Sequence, residues 1–302
     1  MSAYLFAHFI GEEKDGEQVY FSVSTDGLHW QDLNDSKPVL RSSIGERGAR
    51  DPFIVRDPNS GVYYLIATDL RIEAGKGWGV AQHQGSRDLL VWESIDLVTW
   101  SKERAVTVGI EDAGCVWAPE SVWDPKKEAF FVFFASMVKE EGDVEAKQRI
   151  YAAYTKDFKS FSPAKKYIEK ENHVIDTTLI HTGDCWYRFS KDETTKLIYT
   201  ERSEDLEGAF ESVTVPELDH FFGLEGPQIY RLADGSYCLI VDQFAKGLGY
   251  TPLVAKHLDK DVSTVDFKRL DHTDFDMGKS KKRHGGVIEI SVEEYNRLRN
   301  AY

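Results

Sequence analysis

The sequence predicts an all-β chain folded as a five-bladed β-propeller, on three observations: many short β-rich runs, a turn motif that recurs five times, and five strand openings that align with one another. Helical periodicity is almost absent. Runs rich in Val, Ile, Tyr, Phe and Trp recur instead, such as Tyr63-Tyr64-Leu65-Ile66-Ala67, Phe130-Phe131-Val132-Phe133-Phe134 and Tyr237-Cys238-Leu239-Ile240-Val241. Clusters of Gly, Asp, Asn and Pro separate them, as expected for short strands joined by turns.

The recurring motif is a strand, a polar or acidic turn, and an aromatic residue a few positions on. It reads Ser24-Thr25-Asp26-Gly27-Leu28-His29-Trp30, Ser94-Ile95-Asp96-Leu97-Val98-Thr99-Trp100 and Thr155-Lys156-Asp157-Phe158-Lys159-Ser160-Phe161, with looser copies over 203–210 and 257–267. A spacing of about 50 to 70 residues suits four-stranded blades better than a β-sandwich with chance similarities among its turns.

The openings are Arg50-Asp51-Pro52-Phe53-Ile54, Trp117-Ala118-Pro119-Glu120-Ser121, Ile175-Asp176-Thr177-Thr178-Leu179, Glu225-Gly226-Pro227-Gln228-Ile229 and His284-Gly285-Gly286-Val287-Ile288. The last opening has no outer strands after it, while residues 4–33 have outer strands but no opening before them. The C-terminal strand is therefore expected to complete the N-terminal blade and remove the free sheet edges. Beyond it, Ser291-Val292-Glu293-Glu294 has the form of a capping box. A short helix over about 291–302 should follow, with Tyr295, Leu298 and Tyr302 on its packed face.

With 302 residues, 41% hydrophobic and 29% charged, the chain is long enough for a sizeable core and is not disordered. The repeats put residues 1–302 in a single domain. A formal charge of −14 argues against nucleic acid or anionic membrane as a partner, since both need clustered Lys and Arg. Cys115, Cys185 and Cys238 are odd in number and lack C-x-x-C spacing, which reads as reduced core thiols rather than disulfides or zinc ligands. The segment Ala3–Ile10 makes a poor signal peptide, and no run is long and apolar enough to span a membrane. A cytoplasmic location is the resulting expectation.

Inner propeller strands converge on the axis, so the aligned openings should bring Arg50 or Asp51, Trp117, Asp176, Glu225 and His284 to one funnel. Crowded carboxyls raise one another's pKa and are frequently functional. Hydrolysis of a glycosidic bond needs an ionised carboxylate to activate water and a protonated one to assist the leaving group. Each acid also has a plainer reading: a strand start for Asp51-Pro52, a turn cap for Asp176, and an ion pair with a neighbouring Arg or Lys for Glu225. Glu120 lies two positions past the Ala118 column and reads as structural.

These openings, with Leu224-Glu225-Gly226-Pro227 and Arg283-His284-Gly285-Gly286-Val287, resemble glycoside hydrolase family 43 in order and spacing over nearly the whole chain. The resemblance implies a five-bladed propeller and an inverting mechanism, with Asp51 as general base, Asp176 tuning pKa and orienting substrate, and Glu225 as general acid. About 50 residues precede the base here, a circular shift of the ring opening. Thr177 follows Asp176 where the family more often has Pro. Trp117 suits the apolar face of a sugar, and Arg283 and His284 are candidate sugar ligands. No cofactor is required, although His284 could contribute to a hydrated Ca²⁺ on the axis, as a histidine of the last blade does in some family members. The partner expected is a small oligosaccharide, with a terminal α-L-arabinofuranosyl or β-D-xylosyl group removed by exo action. A β-galactosidase or galactofuranosidase, a sialidase suggested by the Asp26 turn, and a non-catalytic sugar-binding propeller are the alternatives.

Overall fold

The computed structural model describes residues 2–302, which form five four-stranded antiparallel sheets. Strands β1 (Ser2–His8), β2 (Tyr20–Ser24) and β3 (Gln31–Asp32) begin blade I. Blade II runs outward through β4 (Ala49–Arg56), β5 (Tyr63–Asp69), β6 (Asp88–Ser94) and β7 (Arg104–Thr107). A short helix, α1 (Trp78–His83), interrupts its β5–β6 connection. Blade III comprises β8 (Trp117–Asp124), β9 (Ala129–Val138), β10 (Lys147–Thr155) and β11 (Lys165–Ile168). Blade IV comprises β12 (Val174–His181), β13 (Trp186–Asp192), β14 (Leu197–Ser203) and β15 (Glu211–Val213). After α2 (Pro216–Asp219), blade V follows as β16 (Glu225–Arg231), β17 (Tyr237–Asp242), β18 (Tyr250–Ala255) and β19 (Lys268–Arg269).

The ring closes as the sequence predicts. Strand β20 (Gly285–Ser291) pairs antiparallel with β1, from Ser2 opposite Ser291 to His8 opposite Gly285, and becomes the inner strand of blade I. Helix α3 (Val292–Ala301) starts on a capping box in which Ser291 and Glu294 bond each other's backbone N–H. Its buried Leu298, with Tyr295 and Tyr302, packs against blades I and II.

The apolar core lies between blades rather than at the centre. Five clusters fill the five gaps; the one between blades V and I joins Tyr4, Phe6, Trp30 and Val287 to Tyr230, Cys238, Ile240 and Tyr250. A middle strand therefore faces apolar neighbours on both sides. All ten residues of β9, Ala-Phe-Phe-Val-Phe-Phe-Ala-Ser-Met-Val, are buried, the continuous pattern of a strand covered on both faces. The three cysteines are free thiols and buried.

The repeated turns link the third and fourth strands of their blades, away from the axis. Ser94 Oγ accepts the Leu97 N–H at 2.9 Å, and Asp96 Oδ1 accepts those of Val98 and Thr99 at 2.9 and 2.7 Å. Ser24 with Asp26 and Thr155 with Asp157 repeat the arrangement. The sialidase-like sequence around Asp26 is thus a peripheral turn, one of a set that terminates strands.

Candidate active site

Four of the five inner strands carry one extra residue just after they begin. Pairing slips between Arg50 and Phe53, Trp117 and Glu120, Ile175 and Thr177, and Glu225 and Gln228. At the slip Asp51, Ala118, Asp176 and Gly226 have φ of 48°, 47°, 48° and 52°. These are β-bulges, which re-aim side chains and often flank active sites. Bulge residues Asp51 and Asp176 are thereby presented to the axis, together with Glu225 and Trp117 from the position before the bulge. A Cβ on Gly226 would lie 3.0 Å from the His284 ring, so glycine satisfies both the left-handed backbone and the close approach. The fifth opening differs from its sequence alignment. Strand β20 pairs without a slip, and a Cβ at Gly285 would meet the Ala7 carbonyl at 2.1 Å.

All six predicted site residues, Asp51, Trp117, Asp176, Glu225, Arg283 and His284, line one pocket of about 440 Å³. Phe9, Trp78 and Phe244 are among its other walls. Trp117 meets Trp78 edge-on with ring centroids 5.9 Å apart. Arg50 is not an alternative to Asp51: its buried guanidinium pairs with Glu17 at 2.8 Å and Glu12 at 3.1 Å, and sits against the rings of Phe9 and Trp78.

The acids are not uncompensated, which corrects the picture of carboxylates crowded without partners. His284 Nδ1 lies 3.7 Å from Asp51 Oδ1 and 3.7 Å from Asp176 Oδ1, and its Nε2 lies 3.9 Å from Glu120 Oε1. Burial alone would lower the imidazole, but Asp176, Glu120 and Asp51 outweigh it and push its pKa up to about 9. Glu120, buried beneath His284, is pushed up to about 7 by loss of solvent. Asp176 is raised by burial, with His284 and Lys191 opposing. Its Oδ2 accepts the Gly226 N–H at 3.0 Å, which ties it to the backbone beside Glu225.

Glu225 is held by two cations, so the ion-pair reading and the pocket reading are both realised. Lys191 Nζ lies 3.1 Å from Oε2, and Arg283 pairs with Oε1. Burial opposes ionisation of Glu225, yet Lys191 and Arg283 prevail and its pKa falls below the ordinary value. Arg283 also reaches Asp242 at 2.7 Å, and Lys191 reaches Glu193 at 2.6 Å. Asp242 is raised to about 6 by burial, against the pull of Arg283.

Thr68, Lys191 and Asp242 are the partners that reading the strand openings missed, and they share a structural position. On the second strand of each blade, Thr68 pairs with Arg50, Lys191 with Ile175 and Asp242 with Glu225. Thr68 Oγ1 donates to Asp51 Oδ2 at 2.9 Å and accepts the Ala118 N–H at 2.9 Å. For Thr68 and Asp242 a signal was available in the form of polar residues closing apolar runs, as in Leu65-Ile66-Ala67-Thr68 and Leu239-Ile240-Val241-Asp242.

Among the described residues, no group of three or more His, Cys, Asp and Glu side chains is arranged to hold a metal ion. His284 has carboxylates on both edges, Asp51 at Nδ1 and Glu120 at Nε2. No step below uses a metal ion. Among the described residues no helix is long and apolar enough to cross a membrane.

A family related to glycoside hydrolase family 43, described as "Probable glycosyl hydrolase domain", matches residues 1–296. An "Alpha-L-arabinofuranosidase" of Bifidobacterium longum subsp. longum is 28% identical over 291 residues, covering 81% of this chain. The chain spans only 27% of that relative's length. Among solved structures, a GH43 β-1,3-galactosidase with galactodeoxynojirimycin aligns with a TM-score of 0.62 at 11% identity, over 89% of this chain and 91% of that one. An endo-1,4-β-xylanase from Bacteroides thetaiotaomicron aligns with a TM-score of 0.61 at 14% identity, over 94% and 93%. At such identities the two structures speak for the fold.

Proposed function

The chain belongs to glycoside hydrolase family 43, and on that premise we propose that it is an inverting, exo-acting glycosidase removing a terminal pentose from plant-derived oligosaccharides. The observation that carries this reading is the meeting of Asp51, Asp176 and Glu225 in one walled pocket. Such a pocket suits the end of a sugar chain better than its middle. The curated relative's name favours an α-L-arabinofuranosyl group, with β-D-xylosyl next and β-galactosyl or galactofuranosyl as the alternative.

In this reading Asp51, oriented by Thr68, is the base that takes a proton from water. Glu225 is the acid that protonates the departing oxygen. Asp176 orients the acid through the Gly226 N–H and contributes to its proton affinity. Trp117 supports the apolar face of the sugar, while His284 and Arg283 supply hydrogen-bond donors. Ring geometry supports inversion. Strands β4 and β16 stand two places apart, with only β20 between them on the shorter path, and two places is the largest separation a five-membered ring allows. Inverting sites need about 6.5–9.5 Å between carboxyls to admit water, against about 5–5.5 Å for retaining ones.

A panel of nitrophenyl α-L-arabinofuranoside, β-D-xyloside, β-D-galactoside and galactofuranoside tests the activity. Proton NMR of fresh product should show the anomer opposite to that of the substrate. No turnover on any of the four would overturn the proposed activity, and first appearance of the retained anomer would overturn the roles of Asp51 and Glu225.

The ion pairs on Glu225 set a further expectation. An acid catalyst must be protonated, and Lys191 with Arg283 lowers the pKa of Glu225, so kcat/KM should fall as pH rises through that depressed value. An opposite charge this close favours the ionised carboxylate and so lowers its pKa. Lys191→Met should therefore move the alkaline limb of the profile to higher pH. An unmoved limb would remove Glu225 from the acid's role.

A further inference from the structure

Bulges aim the pocket side chains of β4, β8, β12 and β16, whereas β20 pairs without one. The residues that the fifth opening sends to the pocket, Arg283 and His284, precede their strand, so something other than a bulge sets their direction. They end the connection from β19 to β20, residues 270–284, which crosses from the outer edge of blade V to the inner strand of blade I.

Lys282, the residue before Arg283, has a side chain with no exposed surface. Its ammonium lies 2.6 Å from Oδ1 of Asp32 on β3, a carboxylate only 5% exposed. The other oxygen of Asp32 accepts the Ser280 N–H at 2.7 Å, and the hydroxyls of Ser22 and Ser36 donate to the carboxylate at 3.2 and 2.9 Å. The acceptor is thus fixed within blade I. The backbone at Gly278 passes directly over the pair, since a Cβ there would stand 2.6 Å from Asp32 Oδ1 and 3.1 Å from Lys282 Nζ. One residue past Lys282, the Arg283 N–H donates to the Phe9 carbonyl at 2.9 Å. Consecutive side chains therefore point apart, Lys282 into blade I and Arg283 across to Asp242 and Glu225 of blade V. Neither Asp32 nor Lys282 lines the pocket.

We infer that Asp32 and Lys282 are positioning residues, a buried tether that does for the fifth opening what a bulge does for the others and holds Arg283 against Glu225. A buried ion pair seldom adds stability over apolar side chains of the same volume, so the direction it imposes on the chain is what accounts for it. The inference rests on the proposed role of Glu225 as acid.

The full chain carrying Asp32→Asn and Lys282→Met together tests this. The double substitution removes one cation and one anion, so the net charge is unchanged and no lone charge stays buried. Any change at Glu225 then arises from where Arg283 stands. With carbon-13 in the Glu225 carboxyl, assigned through Glu225→Gln, NMR should show it titrating at higher pH than in the parent, because a cation that has moved away no longer favours the ionised form. The alkaline limb of kcat/KM should move the same way, and kcat and kcat/KM should fall together by up to about a hundredfold. Asp32→Glu, which keeps both charges and lengthens the tether by one methylene, should also move the midpoint upward. In an Arg283→Met background the double substitution should move it no further. A purely structural pair would lower kcat/KM equally at every pH and leave the carboxyl where it was. An unmoved midpoint in either variant that melts cooperatively, or a shift that persists without Arg283, would overturn the tether. The nitrophenyl panel tests the activity separately: a moved midpoint beside an inactive panel would sink the hydrolase reading and keep the tether, and an active enzyme with an unmoved midpoint would do the reverse.

Discussion

Asp51→Asn is expected to lower turnover by a factor of about 10²–10⁴, the contribution of a positioned general base, with the melting temperature within about 3 °C of the parent's. The substitution isolates chemistry from folding for a local reason. Asp51 has φ of 48°, a conformation that Asn tolerates as well as Asp does. Its amide oxygen can still accept the Thr68 hydroxyl hydrogen bond made at 2.9 Å, so the link from Thr68 to the Ala118 N–H is kept. What disappears is the negative charge and the capacity to take a proton. Ala at the same position would add backbone strain and leave Thr68 without its acceptor, confusing the two effects. Steady-state rates on the best nitrophenyl glycoside, paired with a thermal melt, decide the matter. A loss of less than about tenfold with the fold intact would remove Asp51 from the role of base.

Deleting residues 280–302 is expected to abolish cooperative folding. The deletion takes β20, which pairs with β1 over seven residue pairs, and α3, which caps the gap between blades I and II. Buried Val287, Ile290 and Leu298 are each worth about 1.5–3 kcal/mol, against a total stability of about 5–15 kcal/mol for a typical domain. The loss also opens the ring: β1 becomes a free inner edge, and blades II and V lose the strand that stands between β4 and β16. Urea unfolding followed by circular dichroism should show a broad transition or none. A truncated chain that unfolds as sharply as the full one would mean that closure is dispensable.

Both results bear on how charge is arranged around the axis. A site that held Asp51, Asp176 and Glu225 alone would repel itself, whereas here His284 stands between the first two and Lys191 with Arg283 clamps the third. The clamp draws Glu225 towards its ionised form, so on the proposed roles an alkaline limb of activity would report on Lys191.

The blades, their number and their closure were legible in the chain because each rests on local chemistry repeated in order. Short apolar runs make strands, Ser-x-Asp and Thr-x-Asp turns end them, and Ser291 with Glu294 starts the last helix. The positions of Asp51, Asp176, Glu225, Trp117 and His284 were legible for the same reason, since aligned strand openings must meet at the axis of a propeller. Tertiary structure alone decided what surrounds them. Lys191 and Asp242 lie on second strands, facing the bulges, and reach Glu225 or its partner Arg283 only once neighbouring blades are assembled. Arg50, adjacent in sequence to Asp51, is turned by the bulge into ion pairs with Glu12 and Glu17. Alternation along a strand says which residues share a face. It does not say which charge from another blade will stand opposite, because Coulombic partnership depends on distances of a few ångströms between segments that the chain order keeps far apart.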